Sequence, residues 1–298
     1  MMVRKTARSQ NVYILSFLIV GFLWGLNWPA VKIILTEVPP LTMRAVSFTA
    51  AAIILSLIVL RSKQSFLLQR DEVIPTAIVG IFLIFGFNVL TAFGQMIVEA
   101  SKATIIAYTM PSITAVLAAF YLKERIRPKS IWALLIAMTG LAIMVSADIT
   151  PLIQKPIGPI VMVLAALSWS IGNVGLKSVD WRLQPLPLTV WFFVFSSLIA
   201  WPLVLVYEPL EAQAWPSLNV LAMLGFHVLG PMVTCYLLWA VLVSELPATI
   251  ASISILIAPV VGVLSSSIFL GEFLSWQKIY ALTTIIISIA LVLTSKNE

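Results

Sequence analysis

The polar side chains that could do chemistry in this chain stand isolated within long apolar runs. Asn27 and Asn173 each follow a tryptophan in such a run, where an amide is costly in lipid and must face protein or a ligand. These amides could hydrogen-bond a substrate or hold helices together. Lys32 and Lys177 lie toward the ends of the same runs, so each either snorkels to the lipid headgroups or contacts a substrate carboxylate.

The other candidates suit a binding site for a small metabolite. Aromatic rings with a few hydrogen-bonding groups are typical of small-molecule sites. Candidates of this kind are Asn88, Tyr108, Tyr236, Trp239, Ser252 and Ser254. The sequence has no motif for ATP hydrolysis, no Gly-rich phosphate loop and no nucleophile and base at a catalytic spacing.

Histidine, cysteine and acidic residues offer little to a metal or a proton. Cys235 is the only cysteine, so an intramolecular disulfide and a Cys-based metal cluster are impossible. His227 is the only histidine and has no carboxylate in its apolar run, which makes it a weak candidate for proton coupling. No Asp or Glu falls in the middle of a predicted span. We therefore expect no catalytic residue, no metal and no cofactor.

Composition indicates an all-α integral membrane protein. Of 298 residues, 61% are hydrophobic and only 10% charged, whereas a soluble domain has roughly a quarter charged residues. Charge-free windows of membrane-crossing length predict ten helices, near 13–35, 41–60, 74–97, 101–122, 130–147, 158–179, 187–206, 218–243, 247–270 and 276–294. The basic residues form no stripe with interleaved aromatics, which argues against a nucleic-acid partner.

An internal repeat divides the chain into two halves, at residues 13–147 and 158–294. One ungapped alignment pairs Ala103 with Ala251, Pro111 with Pro259 and Glu124 with Glu272. Five helices per half is an odd number, so the second half must enter the membrane from the opposite side. This predicts an inverted repeat, which is typical of secondary transporters with a substrate site near the midplane between the halves.

Two features of the repeat concern function. Pro111 and Pro259 each fall at the middle of a predicted helix, where proline frees the carbonyl four residues back. A plain kink is one reading, but recurrence in both halves favours hinges beside a cavity. Arg44, near the start of the second helix, is replaced by Trp191 in the other half. Arg44 could supply positive potential for a charged solute, or pair with a headgroup or Glu37.

These features together resemble the EamA family of the drug/metabolite transporter superfamily. The motifs are Trp24-Gly25-Leu26-Asn27 in the first helix, Leu122-Lys123-Glu124 closing the fourth and Leu270-Gly271-Glu272 closing the ninth. The resemblance covers residues 13 to 294. It implies a central cavity lined by helices one, three, four, six, eight and nine, and alternating access by rocking of the halves.

The resemblance also implies the substrate class. The chain looks most like exporters of cysteine and O-acetylserine, and related members resemble exporters of aromatic amino acids or other drug-like metabolites. A membrane-embedded enzyme or a scaffold is the alternative from another class. The expected partners are a small amino acid or similar metabolite and the lipid bilayer. The candidate substrate-binding residues are Trp24, Asn27, Trp28, Lys32, Arg44, Asn88, Tyr108, Trp169, Asn173, Tyr236, Trp239, Ser252 and Ser254.

The distribution of basic residues predicts orientation. Most lysines and arginines fall in the predicted loops on the side of the N-terminus, and such loops stay in the cytoplasm. Both termini should therefore be cytoplasmic in an inner (plasma) membrane.

In a Cys235→Ala background, single cysteines at Ser62 and Lys129 should react with a membrane-impermeant maleimide only from the cytoplasmic side. Labelling of either cysteine from outside overturns the orientation.

Overall fold

The computed structural model describes residues 10–123, 128–146, 156–239 and 253–295. These residues form helices and connecting turns, with no strand among them, so the all-helical prediction is confirmed. The helical segments are α1 (Gln10–Ile34), α2 (Pro40–Arg61), α3 (Arg70–Ile97), α4 (Ala100–Tyr121), α5 (Pro128–Ser146), α6 (Ile157–Ser178), α7 (Pro185–Tyr207), α8 (Leu218–Trp239), α9 (Ile253–Leu270) and α10 (Trp276–Ser295).

The length and composition of the helices show a multi-pass membrane protein. Among the described residues, seven helices are long and apolar enough to cross a bilayer, namely α1 to α4 and α6 to α8. Shorter apolar stretches lie in α5, α9 and α10, so the prediction of ten crossings is supported for seven. Ile53, Leu57 and Leu60 are more than half exposed along one side of α2, as expected where a helix meets lipid rather than water.

Helices α2 and α7, which are equivalent in the two halves, pack against each other in antiparallel fashion. Near the start of α2, the backbone N–H of Thr42 donates to Glu208 at the end of α7, at 2.7 Å. Further along, Thr49 Oγ1 lies 2.6 Å from Ser197 Oγ and accepts from the indole N–H of Trp201 at 2.9 Å. An antiparallel pairing of equivalent helices is what an inverted repeat produces.

The equivalent helices α4 and α9 are related in the same way. The carboxylate of Glu272, just after α9, accepts the N–H of Ala100 at the start of α4. Thr104, one turn into α4, contacts Gly262 inside α9, because a Cβ added at Gly262 would lie 2.8 Å from the Thr104 methyl. The start of α4 therefore meets the end of α9.

Two segments of π-helix interrupt α3 and α8 near their middles. They span Ile81–Gly86 and Val228–Cys235, and their first residues are separated by the same 147 positions that relate Pro40 to Pro187. Segments of π-helix are rare and frequently lie at functional sites. The sequence predicts uninterrupted helices here, so this symmetric feature was missed.

Helix α6 packs directly on the first π segment. Ser168 Oγ donates to the carbonyl of Phe82 at 2.7 Å, which satisfies a backbone group at the irregular turn. At Gly172 an added Cβ would lie 2.6 Å from the backbone nitrogen of Leu83 and 2.7 Å from its Cα. Only glycine permits this approach of α6 to α3.

The two repeat-related prolines have different local effects. Helix α4 is broken, with Ala100–Ala107 and Met110–Tyr121 separated by a turn at Tyr108 and Thr109, so that Pro111 lies in the first turn of the second piece. Pro259 lies inside the continuous α9. The predicted interruption is therefore present at Pro111, whereas α9 continues through Pro259.

The glycine contact leads to a stability prediction. Gly172→Ala forces a methyl group against the backbone of Leu83, and overpacking of this kind costs roughly 1–3 kcal/mol, so the thermal unfolding temperature in detergent should fall. Gly225→Ala in α8 is the matched control, because an added Cβ there meets nothing within 4 Å. Its unfolding temperature should stay the same or rise. Equal temperatures for Gly172→Ala and the parent protein contradict the packing assigned to α6.

Candidate functional site

A buried polar cluster lies where α1, α2, α3 and α8 meet. Its members are Asn27, Arg44, Asn88, Thr91, His227 and Tyr236. Arg44 is 1% exposed and His227 is 0% exposed, so neither reaches lipid headgroups or bulk water. The cluster joins helices of both halves and contains four of the predicted substrate-binding residues, namely Asn27, Arg44, Asn88 and Tyr236.

The hydrogen bonds determine the tautomer of His227. Arg44 Nη1 lies 3.1 Å from His227 Nε2, and a guanidinium can only donate, so Nε2 must accept. His227 Nδ1 lies 2.6 Å from Asn27 Oδ1 and therefore carries the proton. The imidazole is neutral, and it links α1 to α2 through α8.

The other side of the guanidinium contacts α3. Arg44 Nη2 donates to Thr91 Oγ1 at 3.4 Å, and that hydroxyl donates to the carbonyl of Asn88 at 2.9 Å. The Asn88 amide donates to the carbonyl of Ile84 inside the π segment at 2.8 Å, and its side chain lies beside that of Tyr236. The cluster is thus connected to the irregular part of α3.

The charge of Arg44 has no anionic partner among the described residues. No described carboxylate lies within ion-pair distance of the guanidinium, and its buried Nε has no hydrogen-bond partner. The predicted alternative of an Arg44–Glu37 pair is wrong, because Glu37 accepts from the N–H and the hydroxyl of Ser217 at 2.6 and 2.8 Å. The headgroup alternative is also wrong, because Arg44 is buried.

Aromatic side chains border the polar cluster. The ring of Trp24 lies 6.0 Å from Tyr236 and 5.5 Å from Trp239, and Tyr236 lies 5.1 Å from Phe193, measured between ring centroids. We call Trp24, Phe193, Tyr236 and Trp239 the aromatic cluster. Tyr236 belongs to both clusters, so an apolar and a polar surface meet at one side chain.

The remaining aromatic candidates form two separate pairs. Trp28 in α1 packs against Tyr108 in α4 with ring centroids 6.4 Å apart. Trp169 in α6 packs against Phe87 in α3 at 4.9 Å. These pairs flank α1 and α3 and do not join the hydrogen-bond network around Arg44.

Other predicted site residues serve helix ends or their own helix. Lys32 donates to the carbonyls of Gln95 and Val98, the latter at 2.9 Å, so the ammonium binds the end of α3, where a cation is favourable. Snorkelling therefore does not describe Lys32. The Asn173 amide donates to the carbonyl of Trp169 in its own helix at 2.9 Å.

Two predicted site residues cannot be placed in this way. Ser252 lies outside the described residues, and so does the side chain of Ser254. Among the residues that the structure does describe, no group of three His, Cys, Asp or Glu side chains could hold a metal ion.

Carboxylates at one membrane face bind helix starts of the other half. We call Glu37, Glu99, Glu208 and Glu272 the glutamate face. Glu272 accepts from the N–H groups of Ala100 and Ser101 at 2.6 and 2.9 Å. Glu208 accepts from those of Leu41 and Thr42 at 3.0 and 2.7 Å. An anion at a helix N-terminus satisfies free N–H groups and complements the helix dipole.

The other two glutamates complete this face, and a similar contact lies at the opposite one. Glu37 binds Ser217 at the start of α8, and Glu99 pairs with the buried Lys278 of α10 at 2.5 Å. At the opposite face, Glu72 at the start of α3 accepts the N–H of Arg182 at 2.7 Å. Each contact joins one half to the other.

Sequence reasoning found some members of the site and missed their partners. Asn27, Arg44, Asn88 and Tyr236 were predicted individually, whereas Thr91 was not considered and His227 was set aside for lack of a carboxylate. One sequence signal could have paired them: His227 and Arg44 each lie alone in an apolar run, where each needs a buried partner.

Comparisons with known proteins agree with this architecture. The EamA-like transporter family profile matches residues 11–146 and 156–294. The chain is 22% identical over 272 residues to the uncharacterized transporter YoaV of Bacillus subtilis, covering 91% of this chain and 90% of that protein. It is 25% identical over 280 residues to a probable amino-acid metabolite efflux pump of Salmonella typhimurium, covering 88% of each. A solved crystal structure superposes with a TM-score of 0.69 at 19% identity, covering 95% of this chain and 96% of the other.

Proposed function

Because the chain belongs to the EamA-like transporter family, we propose that it is a secondary transporter that exports small amino acids or related metabolites from the cell across the inner membrane. The buried polar cluster between the halves is the observation that carries this proposal. It offers hydrogen-bonding groups and a positive charge away from lipid, bordered by aromatic rings. Relatives named amino-acid metabolite efflux pumps support the direction and the substrate class.

The proposed substrate site lies between the polar and aromatic clusters. Arg44 is the fifth residue of α2, about 6 Å below the helix start. A polar group on the substrate meets Arg44, Asn27 and Asn88, while an apolar part meets the rings of Trp24 and Trp239. Buried polar groups combined with aromatic walls orient a small ligand.

Alternating access follows from the inverted halves that we propose. The antiparallel pairing of α2 with α7 and of α4 with α9 supports this arrangement. On the predicted orientation the glutamate face is the outer one. Its cross-half hydrogen bonds hold that side together in this structure, and export requires that they open.

The helix irregularities provide places for the movement. Each π segment and the turn before Pro111 has backbone geometry that departs from the α-helical ladder, and a helix bends most easily at such points. We propose Pro111 and the two π segments as hinges. Pro259 is proposed as the second proline hinge, although its helix is continuous in this state.

One observation favours a second substrate class. The aromatic cluster presents several ring faces beside the polar cluster, and aromatic side chains pair well with such faces. Export of aromatic amino acids is therefore the alternative, and the same assay separates it from export of small ones.

Transport by the purified protein in liposomes tests the function. Vesicles that contain the protein and unlabelled solute should take up labelled L-cysteine, O-acetyl-L-serine, L-threonine or L-phenylalanine faster than vesicles without protein (empty vesicles). The solute should be recovered unchanged. Faster exchange of phenylalanine supports the aromatic alternative, and chemical conversion of the solute supports an enzyme. Rates equal to those of empty vesicles for the whole panel refute the transport proposal. Repeating the assay with an imposed pH gradient tests proton coupling.

Opening of the glutamate face is tested separately. Glu272→Ala removes two charge-assisted hydrogen bonds, each worth roughly 1.5–3 kcal/mol, so the open state should gain at least about tenfold in population. A Ser101→Cys reporter in a Cys235→Ala background should then react correspondingly faster with an impermeant maleimide added outside.

The matched control is Glu211→Ala. Glu211 is exposed and follows α7 at the same end as Glu208, so its loss changes the charge without breaking a cross-half contact. The reaction rate of the reporter should stay at the parent value in this variant. An equal increase for both variants, or none for Glu272→Ala, contradicts a gate at the glutamate face.

A further inference from the structure

Arg44 carries a permanent charge in a place where the described residues provide no anion to balance it. Its guanidinium is 1% exposed, and its described neighbours His227, Thr91 and Tyr236 are neutral groups. Buried charges in proteins are normally paired or neutralised, and an arginine side chain cannot lose its proton in a protein. The charge therefore calls for an anion that is not part of the described chain.

The hydrogen bonds leave Arg44 Nε without a partner, and the neighbouring Nη2 has only a long contact. A guanidinium has five N–H donors, and the structure shows two contacts, from Nη1 to His227 and from Nη2 to Thr91. Nε has no partner. Nε and the adjacent Nη2 present parallel N–H groups that match the two oxygens of a carboxylate. The contact to Thr91 is long, at 3.4 Å, so a carboxylate oxygen can replace it.

The surroundings favour a singly charged anion. Lys32 is the one other cation among the predicted substrate-binding residues, and its ammonium is bound by the carbonyls of Gln95 and Val98 at the end of α3. One uncompensated positive charge in a low-dielectric site is neutralised by one carboxylate, whereas a dianionic phosphate leaves a buried negative charge.

We propose that Arg44 binds the carboxylate of the transported substrate through its Nε edge, with His227 as a positioning residue that orients the guanidinium. This inference rests on the proposed function and deepens it, because it defines the substrate as a small monocarboxylate. The contacts from Asn27 through His227 hold Nη1, so the carboxylate is bound by the Nε side of the guanidinium, where no partner is present among the described residues. The site becomes reachable when the glutamate face opens.

Acids and their amides separate this proposal from a structural role of Arg44. The purified full-length protein is titrated with L-cysteine, L-phenylalanine and O-acetyl-L-serine, and with the carboxamide of each, using tryptophan fluorescence and thermal stabilisation as readouts. An amide keeps the shape and removes the negative charge. The acids should bind roughly tenfold to a hundredfold more tightly than the amides.

Variants assign the preference to one side chain. Arg44→Gln should remove the preference for the acid, and Arg44→Lys should keep part of it, because the charge remains and the fork is lost. Arg61→Gln is the matched control, since Arg61 is an exposed arginine at the end of the same helix and its loss should leave the preference unchanged. His227→Phe should weaken binding of acids more than of amides.

The outcomes also separate this proposal from the transport function. Equal binding of acid and amide by the unaltered protein overturns the inference, even if transport is observed, and this comparison needs no variant. A preference for the acid that persists in Arg44→Gln also overturns it, and so does an absence of binding by every acid. Arg44-dependent binding of acids without exchange in liposomes supports a carboxylate site at Arg44 but refutes the transport proposal, and with it the role of that site in transport.

Discussion

The structure depends on a constraint that the membrane imposes on Arg44. A guanidinium buried among helices cannot shed its charge, and neither lipid nor water can solvate it there. The neighbouring helices respond with neutral acceptors, His227 Nε2 and Thr91 Oγ1, which satisfy two N–H groups without cancelling the charge. Hydrogen bonds around Arg44 therefore connect helices α1, α2, α3 and α8, and they leave a positive charge that an anion can neutralise.

The two halves differ at the position of this charge. At the position equivalent to Arg44, Trp191 donates its indole N–H to the carbonyl of Phe66 at 3.0 Å and packs beside Phe195. At this repeat position, the residue of the second half, Trp191, binds a loop at one membrane face. The residue of the first half, Arg44, belongs to a buried polar network. The helices of the two halves are arranged symmetrically, so the two membrane faces resemble each other. This position is not symmetric, and it therefore places a positive charge on one side of the site only.

The sequence predicts the all-helical membrane fold from long charge-free apolar runs, seven of which are candidate membrane spans among the described residues, and it predicts the repeat from matched prolines and glutamates. It reached Arg44 and Asn27 as isolated polar residues in lipid-length runs. It could not pair Arg44 with His227, since residues 183 positions apart meet only through helix packing. The π segments were also beyond it, because a wider turn depends on neighbours such as Gly172 and Ser168 and leaves no distinctive residue pattern of its own.

In the mechanism that we propose, the glutamate face and the buried cluster have different tasks, because one must open and the other must select the substrate. At the face, N–H groups at the starts of α2 and α4 are bound by Glu208 and Glu272, and water can replace either carboxylate when the halves separate. Opening there still loses the net stabilisation of these charge-assisted bonds, but it leaves no N–H group unsatisfied. Arg44 is buried, so in the proposed mechanism a ligand that brings its own negative charge stabilises the cluster most. In this mechanism the contacts that break and re-form lie at the glutamate face, and the contacts that select the substrate lie at Arg44.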